Sequence, residues 1–189
     1  MHVAAGLPVD PASLLPRAEA RKLDRGQQLA VLSAREAWRD AGAPPVEPER
    51  FALVIGTGTG GVLTTLAQDD IHERAGVRRL SPFTAPMLMP NGPAAAWVSM
   101  DLGARGGART PVSACASGAE ALALGQDLIR SGRVDVVVAG GVEACLHPFT
   151  LAAFAQMKAH SPPRPRTPSR CPVRTTAAAR ASPWAKAPG

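Results

Sequence analysis

Cys115 is the residue whose surroundings most favour chemistry. It lies where an apolar run typical of a buried strand, "RTPVSA", meets a segment with helical periodicity, "CASGAEALALGQDLIRSG". At the start of a helix, unpaired backbone N–H groups and the helix dipole favour the nucleophilic thiolate over the thiol. Its neighbours Ala114 and Ala116 are small, so the sulfur is expected to remain reachable in a sharp turn. The alternative is a small apolar side chain packed against the sheet, the usual role of a free cysteine.

The other thiols and the histidines have weaker settings. Cys145 and Cys171 lack a strand-to-helix junction, and we expect only packing roles for both. Three cysteines without paired spacing exclude a disulfide framework and favour the reducing cytoplasm. His147 follows a predicted strand end and could approach Cys115 to form a Cys–His hydrolase, although a surface or capping role is the simpler expectation. Glu143 is interpreted as a structural hydrogen-bonding residue and not as a base.

A glycine-rich loop, "GTGTGG", follows the first predicted strand. Gly56, Gly58 and Gly61 match the pattern G-x-G-x-x-G, which is found in dinucleotide-binding folds. That function also needs an acidic residue at the end of a second strand about 20 residues later. The sequence there is "IHERAGVRRLSPF", with no strand before an acid. We therefore expect no nucleotide, no other cofactor and no metal site.

The elements that would position these residues alternate between helix and strand. An amphipathic helix is predicted from Glu19 to Gly42, a buried strand from Phe51 to Ile55, and a helix from Val62 to Arg74. A long ordered loop is expected over 76–93 and a helix from Ala94 to Leu102. Then come the strand "RTPVSA", the helix after Cys115, the strand "RVDVVVAGG" and the helix "PFTLAAFAQMKAH". A crossover of this kind predicts two parallel, neighbouring strands and an α/β fold.

The positive charge is confined to one end of the 189-residue chain. The net charge is +6, but residues 161–189 carry six basic and no acidic residues, which leaves 15 of each in the first 160. We expect 1–160 to form one domain and the proline-rich segment 161–189 to be a disordered basic tail, either a linker or the product of a shifted reading frame. Because this tail has one aromatic residue to stack on bases, no nucleic-acid partner is expected. No apolar run is long enough to cross a membrane.

The segment "TPVSACASGAEALALGQDLIRSGRVDVVVAGGVEA" resembles the active-site region of β-ketoacyl-[acyl-carrier-protein] synthases, the condensing enzymes of fatty-acid and polyketide synthesis. The resemblance extends back through "SPFTAPMLMPNGPAAAWVSMDLGARG", "GTGTGG" and "RKLDRGQQLAV", and so covers the chain from about Val3 to Ser161. It implies the N-terminal half of a thiolase-like fold, with a parallel or mixed sheet flanked by helices. It also implies an acyltransferase of the 3-oxoacyl-ACP synthase type.

The resemblance assigns roles to single residues. Cys115 would be the nucleophile that takes an acyl group from acyl carrier protein, and its own N–H would supply half of an oxyanion hole. Thr59, Phe83, Met87 and Met89 would line the acyl pocket, with the last three in a segment that also contributes to the dimer interface. The implied partners are acyl carrier protein, acyl and malonyl thioesters, and a second subunit, as a homodimer or as a pair with a full-length synthase.

Condensing enzymes of this family also use two histidines and a lysine from their C-terminal half. No segment of this sequence matches those histidine motifs, so we expect acylation at Cys115 without decarboxylative condensation. Two alternatives are a non-catalytic partner of a full-length synthase and the misfolded product of a pseudogene.

Overall fold

A three-stranded parallel sheet is the centre of the protein. The computed structural model describes residues 6–89 and 93–157. Strands β1 (Phe51–Gly56), β2 (Ala108–Arg109) and β3 (Val136–Gly141) are arranged in the order β2-β1-β3, with β1 in the middle. Seven helices accompany them in the described part of the chain: α1 (Arg17–Ala20), α2 (Arg25–Asp40), α3 (Val62–Ala75), α4 (Thr84–Leu88), α5 (Pro93–Leu102), α6 (Ser117–Arg130) and α7 (Pro148–Gln156). The predicted α/β class is confirmed.

Strand β1 is buried on both of its faces. Phe51, Leu53 and Ile55 point to one side, where they form a core with side chains of α2 and α5. Ala52 and Val54 point to the other side and pack against α6. Because neighbouring strand residues alternate between faces, this continuous apolar run requires a layer of helices on each side of the sheet. The result is a helix–sheet–helix arrangement.

The first predicted helix is divided in two. We expected one helix from Glu19 to Gly42, but α1 ends at Ala20 and α2 begins at Arg25. Asp24 starts the second helix through a capping box: its carboxylate accepts from the Gln27 N–H at 2.9 Å, and the Gln27 side chain accepts from the Asp24 N–H at 3.0 Å. This pairing satisfies N–H groups that an uninterrupted helix would have bonded internally.

The strand predicted for "RTPVSA" was mostly wrong. Pairing with β1 extends only over Ala108 and Arg109, and the segment from Thr110 to Ser113 has no strand assignment. Pro111 has no N–H to donate to a ladder, which explains the early end. The expectation that this strand neighbours β3 was also wrong, because β1 lies between them. The crossover through α6 therefore spans one strand of the sheet.

The other predicted elements agree with the structure within a few residues, apart from the proline-rich loop. Over 76–93 the chain forms the short helix α4 in addition to irregular backbone. Residues 90–92 and the last predicted helical residues, 158–160, lie outside the described residues. The prediction of a disordered tail over 161–189 lies outside them too. None of the helices within 6–89 and 93–157 has the length and apolar character that crossing a membrane requires.

Candidate active site at the start of α6

Cys115 lies in a tight turn directly before α6. The turn is a single 3₁₀ segment, Ala114–Ala116, and α6 follows it from Ser117. The prediction that the helix starts at Cys115 or just after it is confirmed, and the thiol is exposed. Ala114 has φ = +52°, a left-handed conformation that is uncommon for a residue with a Cβ. Such a conformation persists only when the surrounding contacts enforce it.

Ser117 supplies several of those contacts. Its hydroxyl is buried and lies 2.7 Å from the Ala114 carbonyl oxygen and 3.2 Å from that of Thr57, to which it can donate. The same oxygen accepts from the Ser113 N–H at 2.9 Å. One side chain thus joins the two residues before Cys115 to the loop that follows β1.

Glycines allow the strand ends to approach the start of α6. A Cβ on Gly56 would lie 2.2 Å from the Ser117 carbonyl oxygen, and one on Gly141 would lie 2.7 Å from the Gly118 Cα. Both distances are shorter than a Cβ tolerates. The ends of β1 and β3 can therefore lie against the helix start only because these positions have no side chain.

Glu143, two residues after the end of β3, holds the glycine loop. Its Oε2 accepts from the N–H of Gly58 at 2.8 Å and from that of Thr59 at 3.1 Å, and its Oε1 lies 2.5 Å from the Thr59 hydroxyl. A Cβ on Gly58 would be 3.3 Å from the Ala114 carbonyl oxygen, so the loop lies against the turn that carries Cys115. The prediction that Glu143 is a structural hydrogen-bonding residue agrees with these contacts.

The charge of Glu143 affects two neighbouring groups. Burial raises the pKa of the Asp24 carboxyl above its ordinary value, and repulsion from Glu143 adds to the rise, while N–H donors of Gln27 and Gly26 oppose it. Burial also raises the pKa of the Cys145 thiol, again with a contribution from Glu143. Cys145 is half-buried and is kept as the neutral thiol, consistent with the packing role expected for it.

The four predicted pocket residues are not all in one place. Met89 lines a narrow cleft together with Thr57, Gly60 and Gly61, so the glycine loop and this methionine share one site. Thr59, in the same loop, is exposed and bonded to Glu143. The other two predicted pocket residues do not line this cleft. Met87 is buried with its carbonyl against Gly61, and Phe83 is half-buried.

His147 is used in a helix cap. Its Nδ1 accepts from the Phe149 N–H at 3.1 Å at the start of α7, and its backbone N–H donates to the Thr150 hydroxyl at 3.3 Å. The capping role expected for this histidine is confirmed.

Two contributions were missed at the level of sequence. The role of Ser117 was missed, because nothing in its local sequence indicates that its hydroxyl bonds to Thr57, 60 residues earlier. Asp24 was overlooked although a signal was present, because an aspartate followed three residues later by a glutamine is typical of a capping box.

Comparison with known proteins points to one family. Residues 10–172 match the family model described as "Beta-ketoacyl synthase, N-terminal domain". The chain is 40% identical over 144 residues to the 3-oxoacyl-[acyl-carrier-protein] synthase 2 of Mycobacterium bovis, covering 76% of this chain and 34% of that protein. It is 37% identical over 150 residues to the enzyme of the same name from Staphylococcus aureus, covering 78% and 37%. The chain therefore spans about a third of the length of these relatives.

Solved structures show the same fold. The ishigamide ketosynthase/chain length factor superimposes with a TM-score of 0.72 at 26% identity, covering 83% of this chain and 40% of that chain. A type II polyketide synthase acyl-carrier protein in complex with its ketosynthase bound to the hexaketide gives a TM-score of 0.64 at 25% identity, over 75% and 36%. A beta-ketoacyl synthase from Burkholderia phymatum gives 0.63 at 26% identity, over 77% and 36%. The thiolase-like architecture expected from the sequence is confirmed.

Proposed function

The chain belongs to the β-ketoacyl synthase family, and from this premise we propose that it accepts an acyl group on Cys115, the first step of a ketosynthase reaction. The observation that carries the proposal is the geometry of Cys115: an exposed thiol in a left-handed turn at the start of a 14-residue helix. The proposal is limited to the acyl-transfer step, because the nucleophile of that step, Cys115, lies within the described residues.

The proposed step is a thioester exchange. The Cys115 thiol gives its proton to water, and its sulfur attacks the carbonyl carbon of an acyl thioester. A new C–S bond forms, and the bond to the donor sulfur breaks. The donor leaves as a thiolate and takes a proton from water. The developing negative charge on the carbonyl oxygen would be stabilised in part by the N–H of Cys115 itself.

An acyl chain is proposed as the transferred group because the chain belongs to the β-ketoacyl synthase family. The cleft beside the glycine loop has a volume of only about 10 Å³, so it can form no more than the edge of an acyl pocket. Met89 offers an apolar surface there, and the Thr59 hydroxyl is bonded to Glu143, which leaves its methyl as the apolar part. Phe83 and Met87 lie outside the lining of this cleft, and they are included in the proposed pocket as apolar side chains of the segment that carries Met89. The cleft itself has a mixed lining, because Asp24 and Gln27 contribute to it as well as Met89.

We propose acyl carrier protein as the donor. Its support is the solved complex in which an acyl-carrier protein is bound to its ketosynthase, a structural relative of this chain. Condensation with a malonyl thioester, and a second subunit in the form of a homodimer, are proposed for the complete family reaction in fatty-acid or polyketide synthesis. A nucleophilic thiol must remain reduced, which supports a cytoplasmic location.

Acylation can be tested with the full chain and a fluorescent fatty-acyl thioester. We expect a covalent label on wild type that peptide mass spectrometry places on Cys115, and no label on Cys115→Ala. Cys145→Ala is the matched control, because its half-buried thiol is not the proposed nucleophile. A label concentrated on Cys145 or Cys171 would contradict the proposal.

A second candidate is a non-catalytic partner of a full-length synthase. It is favoured by large apolar side chains exposed on and beside α7, where Phe149 is 63% and Met157 is 72% exposed. Apolar surface of this kind is typical of an interface. Co-purification with a complete synthase at a stoichiometry unaffected by Cys115→Ala would support this candidate, whereas a chain that remains unpaired would contradict it.

A further inference from the structure

Glu143 is connected to the reactive turn by a continuous series of contacts. Its carboxylate binds the backbone of Gly58 and Thr59, Gly58 lies against the carbonyl of Ala114, and Ala114 precedes Cys115. Ala114 is the residue in this turn with a left-handed conformation. Any movement of Gly58 therefore changes the surroundings of the peptide that sets the direction of the sulfur.

The other hydrogen bonds that anchor the glycine loop within residues 6–89 and 93–157 are made by Thr57 and Gly60 rather than by Gly58 or Thr59. The Thr57 N–H donates to the Pro111 carbonyl at 3.3 Å, and the Gly60 N–H donates to the Thr57 hydroxyl at 3.2 Å. The Gly58 and Thr59 N–H groups both donate to one oxygen, Glu143 Oε2, at 2.8 and 3.1 Å. Two N–H donors on one carboxylate oxygen form a charge-assisted pair, which is stronger than bonds between neutral groups.

We propose that Glu143 is a positioning residue for Cys115, acting through Gly58 and Ala114, and that it transfers no proton. This inference rests on the proposed acylation of Cys115 and adds to it the residue that keeps the nucleophile in place. In this role the Glu143 carboxylate acts only as a pair of hydrogen-bond acceptors that hold the loop in a fixed geometry.

The chemistry of an amide allows a sharp test. In Glu143→Gln, the amide oxygen can accept from the Gly58 and Thr59 N–H groups, and the amide NH₂ can donate to the Thr59 hydroxyl oxygen. All three bonds are thus retained without the charge. In Glu143→Ala the charge and all three bonds are lost. Because both substitutions remove the same charge, a difference between them cannot come from the charge.

The measurement is the second-order rate constant for modification of Cys115 in the full chain, resolved by peptide mass spectrometry. Two probes are used: a fluorescent fatty-acyl thioester, and iodoacetamide, a small alkylating reagent. We expect Glu143→Ala to lower both rates by about tenfold or more, because small misplacements of a reacting atom are costly. Glu143→Gln should stay within about threefold of wild type. Glu73→Ala, which removes an exposed carboxylate from α3, is the charge control and should leave both rates unchanged.

Equal rates for the Ala and Gln variants would overturn the inference. If both were as slow as each other, the charge or a proton transfer would be the cause, and if both matched wild type, Glu143 would have no role. A wild type that reacts with iodoacetamide but not with the acyl thioester would contradict the proposed function, while the iodoacetamide rates would still decide the role of Glu143.

A second variant covers the case in which Glu143→Ala fails to fold, as judged by far-UV circular dichroism. Gly58→Ala keeps the carboxylate but adds a Cβ 2.8 Å from Glu143 Oε2 and 3.3 Å from the Ala114 carbonyl oxygen. Either the loop or the Glu143 carboxylate must then shift, and either shift weakens the contact between them. We expect slower modification of Cys115 by both probes, and an unchanged rate would also overturn the inference.

Discussion

The hydroxyl of Ser117 lies 2.7 Å from the carbonyl oxygen of Ala114, the left-handed residue immediately before the candidate nucleophile. The same hydroxyl oxygen accepts from the Ser113 N–H. A buried side chain in the first turn of α6 thus restrains the turn that precedes the helix. The reactive position depends on a local bond between residues three positions apart as well as on the fold around it.

Replacing Ser117 with alanine should therefore affect stability and reactivity together. We expect Ser117→Ala to lower the free energy of unfolding by about 1–2 kcal/mol, because the Ser113 N–H and two carbonyl groups lose a buried partner. Urea denaturation measures this loss, and the iodoacetamide rate at Cys115 should fall in parallel. Ser131→Ala, at the exposed C-terminal end of α6, is the control and should cost less than about 0.5 kcal/mol. Equal losses in the two variants would contradict the special role of Ser117.

The close approach of β1 to α6 can be tested with two glycines on neighbouring strands. A Cβ at Gly56 would meet the Ser117 carbonyl oxygen at 2.2 Å, whereas one at Gly140 would meet no atom within 4 Å. We expect Gly56→Ala to destabilise the protein by about 3 kcal/mol or more. Gly140→Ala should be neutral or stabilising by up to about 1 kcal/mol, since alanine reduces the freedom of the unfolded chain. Thermal unfolding of both variants measures the difference, and similar melting temperatures would show that the strand end can move.

Arg35 links three helices through two carboxylates, and the planar shape of its side chain should matter. Its Nε and one terminal nitrogen bind Asp101 at 2.8 and 2.6 Å, and that nitrogen also lies 2.8 Å from Glu19. Because lysine cannot form this fork, we expect Arg35→Lys to cost nearly as much as Arg35→Ala, about 1–2 kcal/mol. Arg25→Ala is the comparison: it removes the more exposed pair with Asp10 and should cost less than about 0.5 kcal/mol. Full stability of Arg35→Lys in urea would disprove the need for a fork.

Much of this fold follows from local patterns, and those parts were predictable. The buried strand at Phe51 and the helix that follows Cys115 each have a periodicity contained within one segment. The order of the strands could not be predicted in this way. "RTPVSA" and β3 are joined along the chain by α6, but β1 lies between them in the sheet. No local pattern reports which strand occupies the centre.

The candidate site also combines a feature that local sequence predicts with contacts that it does not. Cys115 could be identified from its own junction, but its supporting contacts come from distant parts of the chain. The bond from Glu143 to Gly58 joins residues 85 positions apart, and that from Ser117 to Thr57 joins residues 60 apart. Contacts of this kind depend on how the strand ends meet, which is a property of the assembled sheet.

Asp24 gives the protein a pH dependence whose sign can be stated. Burial and the charge of Glu143 raise the pKa of this carboxyl in the folded state above its ordinary value of 3.8. The folded protein thus holds the proton more tightly than the unfolded chain does. The contribution of Asp24 to stability is full below the unfolded pKa and is lost as the pH rises through the folded pKa. Asparagine carries no charge at any pH and is an equally good N-cap for α2, because its side-chain oxygen can still accept from Gln27.

Asp24→Asn should therefore be more stable than wild type at pH 7, and the advantage should shrink as the pH falls below the folded pKa. Urea denaturation of both proteins across pH 3 to 7 measures the difference, and titrations common to both proteins cancel in it. In a Glu143→Gln background the advantage at pH 7 should be smaller, because one cause of the raised pKa has been removed. An advantage that grew on acidification would mean that the pKa of Asp24 is lowered by folding, and that the hydrogen bonds from Gln27 and Gly26 outweigh burial.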